Sequence, residues 1–154
     1  MTHIRAVALA MIWRDSEFLV TEYKAPDNGR YYYRPPGGGI QFGEYGIDAI
    51  RREMKEELNS DITDIKHLIT VENLYTYAGT FFHEIALLYE CRLQDMSLYE
   101  RDTIYYTDEI DGVVINEYAV WKPPSFFITD GPPLAPVGLK EYLHNYAGPS
   151  SPQG

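Results

Sequence analysis

Glu53, Glu56 and Glu57 lie in a stretch, Gly46 to Leu58, whose apolar residues Ile47, Ile50, Met54 and Leu58 recur at spacings of three and four. That is the period of a helix with one buried face. Successive residues on a helix turn by about 100°, which puts the three glutamates inside an arc of roughly 100° beside the apolar stripe. At separations of about 6 Å and an effective dielectric near 20, each pair repels by roughly 3 kcal/mol. A divalent cation removes that repulsion. Magnesium, which takes hard oxygen ligands and bridges carboxylates to phosphates, suits such a face. Arg52 precedes Glu56 by four residues and can hold it by a bridge along the helix, and Glu44, in the loop before the helix, is a further acid within reach. The opposing reading is a solvated charged surface, because Arg51 to Glu57 (RREMKEE) is rich in helix formers.

The segment ahead of the helix weighs against that bland reading. Arg34 to Gly39 (RPPGGG) makes a rigid turn followed by glycines that let backbone approach a ligand closely. Gly38, five residues, Glu44, seven residues and then Arg52-Glu53-Met54-Lys55-Glu56-Glu57 together resemble the signature of the Nudix hydrolase family. The signature ends with any residue, a glycine and an aliphatic residue, and this chain departs from it with Asn59 and Ser60. Asn tolerates the left-handed conformation that closes a helix, whereas Ser60 weakens packing at the edge of the motif.

The resemblance implies an α/β fold: an α/β/α sandwich around a mixed β-sheet, with a catalytic helix and a closing C-terminal helix. It implies metal-dependent hydrolysis of a pyrophosphate bond in a small nucleoside-diphosphate-linked substrate, such as a nucleotide sugar, a dinucleoside polyphosphate or a nucleoside triphosphate. Gly38, Glu53, Glu56 and Glu57 would then hold Mg2+, or Mn2+ in its place, with Arg52 and Glu44 orienting the ligands. The base that activates water is left open among the box glutamates and the loop acids Glu84, Glu109 and Glu117.

Arg30 and Arg34 flank a short aromatic strand and could grip the phosphate that is not bound to metal. Tyr31, Tyr33, Tyr75, Tyr77, Phe81 and Phe82 offer faces for stacking a base. Tyr77 stands 17 positions after Ser60, where the family places a tyrosine in dinucleoside polyphosphate hydrolases. No proline occurs between Pro36 and Pro123, so the proline associated with ADP-ribose enzymes is absent. Three rival readings are a catalytically silent Nudix-like nucleotide-binding module, an isoprenoid diphosphate isomerase using Cys91, and an enzyme acting on capped RNA. The complete set of box acids opposes the first, and the place of Cys91 deep in an expected strand opposes the second. His3, His67, His83 and His144 are scattered without metal-ligand spacing.

Other segments must position these residues. Arg5 to Trp13 and Glu17 to Tyr23 read as a hairpin about Arg14, Asp15 and Ser16. Ala25 to Arg30 reads as a loop and Tyr31 to Tyr33 as a short strand. Ile62 to Tyr77 and Thr80 to Leu93 form a long hairpin about Ala78-Gly79. Gln94 to Asp111, acidic and tyrosine-rich without a clear period, reads as a loop, Val113 to Trp121 as a strand, and Val137 to Tyr146 as the closing helix. The expectation is one domain over 1–147 and a Ser-, Pro- and Gly-rich tail over 148–154 without fixed structure.

The 154 residues carry 13 basic and 23 acidic side chains, a net charge of −10. A surface that acidic opposes a nucleic-acid partner and requires bound cations if the substrate is a phosphate compound. Cys91 is the sole cysteine, which excludes an intramolecular disulfide and fits a reducing cytoplasm. The early apolar run Ala6 to Trp13 is too short to span a bilayer, so no membrane partner is expected. An acidic chain with 14 tyrosines could bury some of them in a homodimer.

Overall fold

In chain order the elements are β1 (Ile4–Met11), β2 (Trp13–Arg14), β3 (Glu17–Lys24), β4 (Tyr31–Arg34), β5 (Gly37–Gly39), α1 (Gly46–Leu58), β6 (Ile62–Tyr77), β7 (Thr80–Leu93), a 3-10 turn (Met96–Glu100), β8 (Thr103–Ile110), β9 (Val113–Lys122), α2 (Ser125–Ile128) and α3 (Leu139–His144). The computed structural model describes residues 2–128 and 130–146, so the expected tail lies outside the described residues.

β1 is apolar on both faces from Val7 to Met11, and only a central strand can bury such a run twice. It runs parallel to β7 and antiparallel to β5, with β6 antiparallel on the far side of β7, giving a mixed sheet ordered β5-β1-β7-β6. The second sheet is antiparallel, ordered β2-β3-β9-β8, with β4 also paired to β3. On one side, Ala8, Ala10 and Ile12 pack with Ile50, Met54 and Leu58 of α1 and with Leu19, Ile104 and Trp121 of the second sheet. On the other, Val7, Leu9 and Met11 pack with Phe18, Val20, Phe127, Leu139 and Leu143. Helices therefore cover both sides, the expected α/β/α sandwich. Each fully buried aliphatic side chain in these two cores stabilises the fold by roughly 1.5–3 kcal/mol.

Three expectations about elements change. The opening hairpin exists only as β2 against the start of β3, because the chain leaves the mixed sheet at Ile12 and enters the second one. Gln94 to Asp111 is not a loop: β8 pairs with β9 along its whole length, and Ile104 and Tyr106 are buried while Tyr105 and Thr107 are exposed. Tyrosines on both faces hide that alternation in the sequence. The closing helix is shorter than expected, with a second short helix, α2, before it. The long hairpin forms as read, with Ala78 and Gly79 both at positive φ. No helix among the described residues is long and apolar enough to cross a membrane.

Candidate active site

α1 buries Ala49, Ile50, Met54 and Leu58, and with them Glu53 and Glu57, each 8% exposed. Ile47, expected in the stripe, is on the rim, because the inward arc is centred nearer the glutamates. Two of the three carboxylates are thus not solvated surface charges, whereas Glu56 is exposed. Asn59 ends the helix in the left-handed conformation at φ 52°, its N–H donating to the Lys55 carbonyl. Ser60 does not weaken the edge of the motif. It is buried, donates to the Asp61 carbonyl at 2.7 Å and accepts from the Asp95 backbone at 3.1 Å, tying the helix end to the turn before β8.

Arg52 organises the entrance. Its Nε and Nη2 donate to the two oxygens of Glu44 at 2.9 and 3.0 Å, Nη2 also reaches the Gly39 carbonyl at 2.9 Å, and Nη1 donates to Glu53 at 2.9 Å and Glu56 at 3.3 Å. The Arg52 hydrogen bonds, helped by the Gln41 backbone N–H, hold the Glu44 carboxyl down at about 2. Only a planar fork of donors serves all these acceptors at once. Arg52→Lys is therefore expected to lower kcat by about 10- to 100-fold while circular dichroism shows an intact fold; unchanged kcat would remove Arg52 from the positioning of the site.

Backbone geometry brings the glycine run onto the helix. β5 pairs with β1 in the register Ala8 to Gly38, and a Cβ on Gly38 would stand 2.7 Å from the Glu53 carboxyl. Deeper in, burial and the neighbouring Glu53 charge push the Glu57 carboxyl well above the usual carboxylate range, and its Oε2 has no hydrogen-bond partner. Among the described residues no three His, Cys, Asp or Glu side chains converge as metal ligands, and Arg52 draws Glu53 and Glu56 to itself. The donor set nevertheless fits a hard divalent cation. It comprises a carboxylate against a bare glycine backbone, a buried carboxylate oxygen in need of a partner, and a third carboxylate open to solvent.

Arg34 joins this centre to the second sheet. It is paired with Thr21 across β3 and β4 and lies within 3.4 Å of the Gly37 carbonyl. Burial works against its charge, but Tyr23, Glu57 and Glu84 outweigh burial and hold it protonated. Arg30 is not brought there: it ends the exposed loop closed by the Ala25–Arg30 backbone bond. Of the loop acids, Glu84 is buried, 3.3 Å from Arg5, and Glu109 is exposed opposite Val114. Glu117 is half-buried opposite Tyr106, with its carboxyl raised by burial and by Asp108. Asp108, whose charge also acts on Glu57, escaped the sequence reading. Its signal was the two-residue step from Ile104 and Tyr106.

Aromatic rings border Arg34. Tyr23 stacks on Tyr32 at 4.9 Å, Tyr77 meets Tyr32 edge-on at 5.8 Å, and Tyr75 stacks on Phe82 at 5.0 Å. The Tyr75 hydroxyl is pushed up to about 12 by burial and by Glu84. Cys91 is a core thiol, pushed up to about 12 by burial, which does not suit a nucleophile. A groove of about 670 Å³ between β6 and α3, lined by Leu68, Val71, Tyr142 and Tyr146, lies on the other side of the mixed sheet from α1.

The NUDIX domain profile matches residues 2–120. The chain belongs to the Nudix family. It is a pyrophosphohydrolase, of a family whose members work with divalent metal ions. Solved structures agree on the fold. The Escherichia coli ORF135 protein aligns with TM-score 0.52 and 21% identity over 90% of this chain and 86% of its own. The MutT protein of Bacillus halodurans aligns with TM-score 0.55 and 14% identity over 91% and 80%, and a UDP-X diphosphatase with 0.57 and 14% over 94% and 61%. No curated protein matches. The profile contains every box residue of this Nudix chain, from Gly38 to Glu57, as well as Arg34, Glu84 and Glu117.

Proposed function

We propose that this Nudix enzyme cleaves the pyrophosphate bond of a small nucleoside-diphosphate-linked compound with Mg2+, for which Mn2+ can substitute, acting in a reducing cytoplasm. The observation that carries the reading is the buried Glu57 carboxylate, unpartnered at Oε2, beside Glu53 and Gly38. Gly38 through its carbonyl, Glu53, Glu56 and Glu57 would hold the ion. When bound, it supplies positive charge where phosphate oxygens gain negative charge and makes water more acidic.

The chain's own residues do the rest. Arg52 and Glu44 fix the orientation of Glu53 and Glu56. Arg34, held protonated between the box and the tyrosines, grips the phosphate that is not bound to metal. Tyr32, Tyr75 and Tyr77 offer ring faces to the base. Among the loop acids the geometry favours Glu117 as the group that takes the proton from the attacking water: Glu84 is engaged with Arg5, and Glu109 points away from Tyr106.

The test is mass-spectrometric detection of products from UDP-glucose, diadenosine tetraphosphate, dGTP and isopentenyl diphosphate, with magnesium or with chelator. Magnesium-dependent release of a nucleoside phosphate supports the reading; turnover that persists in chelator, or isomerisation of isopentenyl diphosphate, overturns it. In the same assay Arg34→Gln should raise KM about tenfold, the loss of one charge-assisted contact of about 1.4 kcal/mol.

A further inference from the structure

Tyr106 is buried on β8, directly across the ladder from Glu117 on β9. A tyrosine hydroxyl buried in an otherwise apolar core must find polar partners. The Tyr106 oxygen stands 2.5 Å from the hydroxyl of Thr21, itself fully buried on β3, and Glu117, paired opposite Tyr106 in the β8–β9 ladder, is its neighbour on the same face of the sheet. The Thr21 hydroxyl fixes where the Tyr106 hydroxyl sits, and towards a neighbouring carboxylate a phenol can act only as donor. The three residues come from three adjacent strands, β3, β9 and β8, and their backbones are locked by continuous pairing.

The row also faces the box. Tyr106 shares a core with Ile50 and Met54 of α1, and the charge of Glu57 acts on the Tyr106 hydroxyl. Tyr23 and Asp108 lie in the same neighbourhood, each coupled to both Glu57 and Glu117. Glu117 is thus a half-exposed acid whose cross-strand neighbour is a buried phenol held in place by Thr21.

We propose that Thr21 and Tyr106 are positioning residues that hold the Glu117 carboxylate in the orientation its reaction role requires. The proposal rests on the reading of Glu117 given above. Neither residue touches substrate. Each acts by restricting the rotation of Glu117, so its loss lowers kcat and leaves substrate affinity alone.

The experiment is a double-mutant cycle on the full chain, with steady-state kinetics on whichever of UDP-glucose, diadenosine tetraphosphate or dGTP is turned over fastest with magnesium. Tyr106→Phe is expected to lower kcat by about 10- to 100-fold with KM within threefold and a folded circular dichroism spectrum. In the Glu117→Gln background the same change is expected to have no further effect, because a residue acting only through Glu117 has nothing left to position. Thr21→Val should reproduce part of the loss and Thr21→Ser should restore it, a hydroxyl-specific pattern that a packing role would not give. Additive losses in the cycle, or a raised KM in Tyr106→Phe, overturn the proposal while leaving Glu117 as the base. Full turnover by Glu117→Gln overturns both.

Discussion

Glu57→Gln is expected to cut turnover about 10^3-fold while making the metal-free protein more resistant to unfolding at neutral pH. The two effects share one cause. Glu57 is buried beside Glu53 with an oxygen that nothing in the protein satisfies, and its carboxyl is raised well above the usual range by that burial. A group whose folded-state pKa is raised contributes stability that is fully present below the unfolded value of 4.5 and is lost as pH climbs through the folded value. In chelator the natural chain should therefore lose stability as pH rises from 4.5 towards neutrality, whereas the Gln variant should lose less. Magnesium should raise the melting temperature of the natural chain far more than that of the variant. Thermal unfolding from pH 5 to 8, with and without magnesium, reads all of this. Unimpaired turnover in the variant, or equal magnesium stabilisation of both proteins, would show that Glu57 is not at the metal site.

The largest expected loss of stability comes from Gly37→Ala. Gly37 has φ 146°, and a Cβ there would lie 2.0 Å from the Ala8 carbonyl oxygen and 2.9 Å from the Leu9 Cα, both backbone atoms of the central strand. Neither can yield without breaking the β1–β5 pairing that also delivers Gly38 to Glu53. A cost of about 3 kcal/mol or more follows. Gly43→Ala makes the control: its φ is 83° but nothing lies within 4 Å, so only the backbone term of about 1 kcal/mol remains. Urea unfolding of the two variants separates steric exclusion from conformational preference, and equal losses would refute the close approach of β5 to β1.

The box was legible because its information is local. The interval from Glu44 to Arg52 and the helical step from Arg52 to Glu56 fix their mutual geometry within one turn-and-helix unit, and the structure brings them together on a single guanidinium. Long-range placement was not legible. Arg30 and Arg34 flank the same tyrosines, yet only Arg34 is paired into β4, while Arg30 closes a loop. Which strand neighbours which sheet is decided by burial across the whole molecule, so β1 looked like half of a hairpin although its partners are β5 and β7. Ser60 looked like a weakened aliphatic position because the Asp95 backbone that it serves lies 35 residues away.

The parallel pairing of β1 with β7 also sets a schedule. Ile4 meets His83, so at synthesis rates of about 5–20 residues per second the first strand waits roughly 4–16 s on the ribosome before its partner exists. During that interval the apolar run from Val7 to Ile12, wholly buried in the finished protein, is exposed. The mixed sheet therefore closes only after the β6–β7 hairpin has emerged to receive the strand made first.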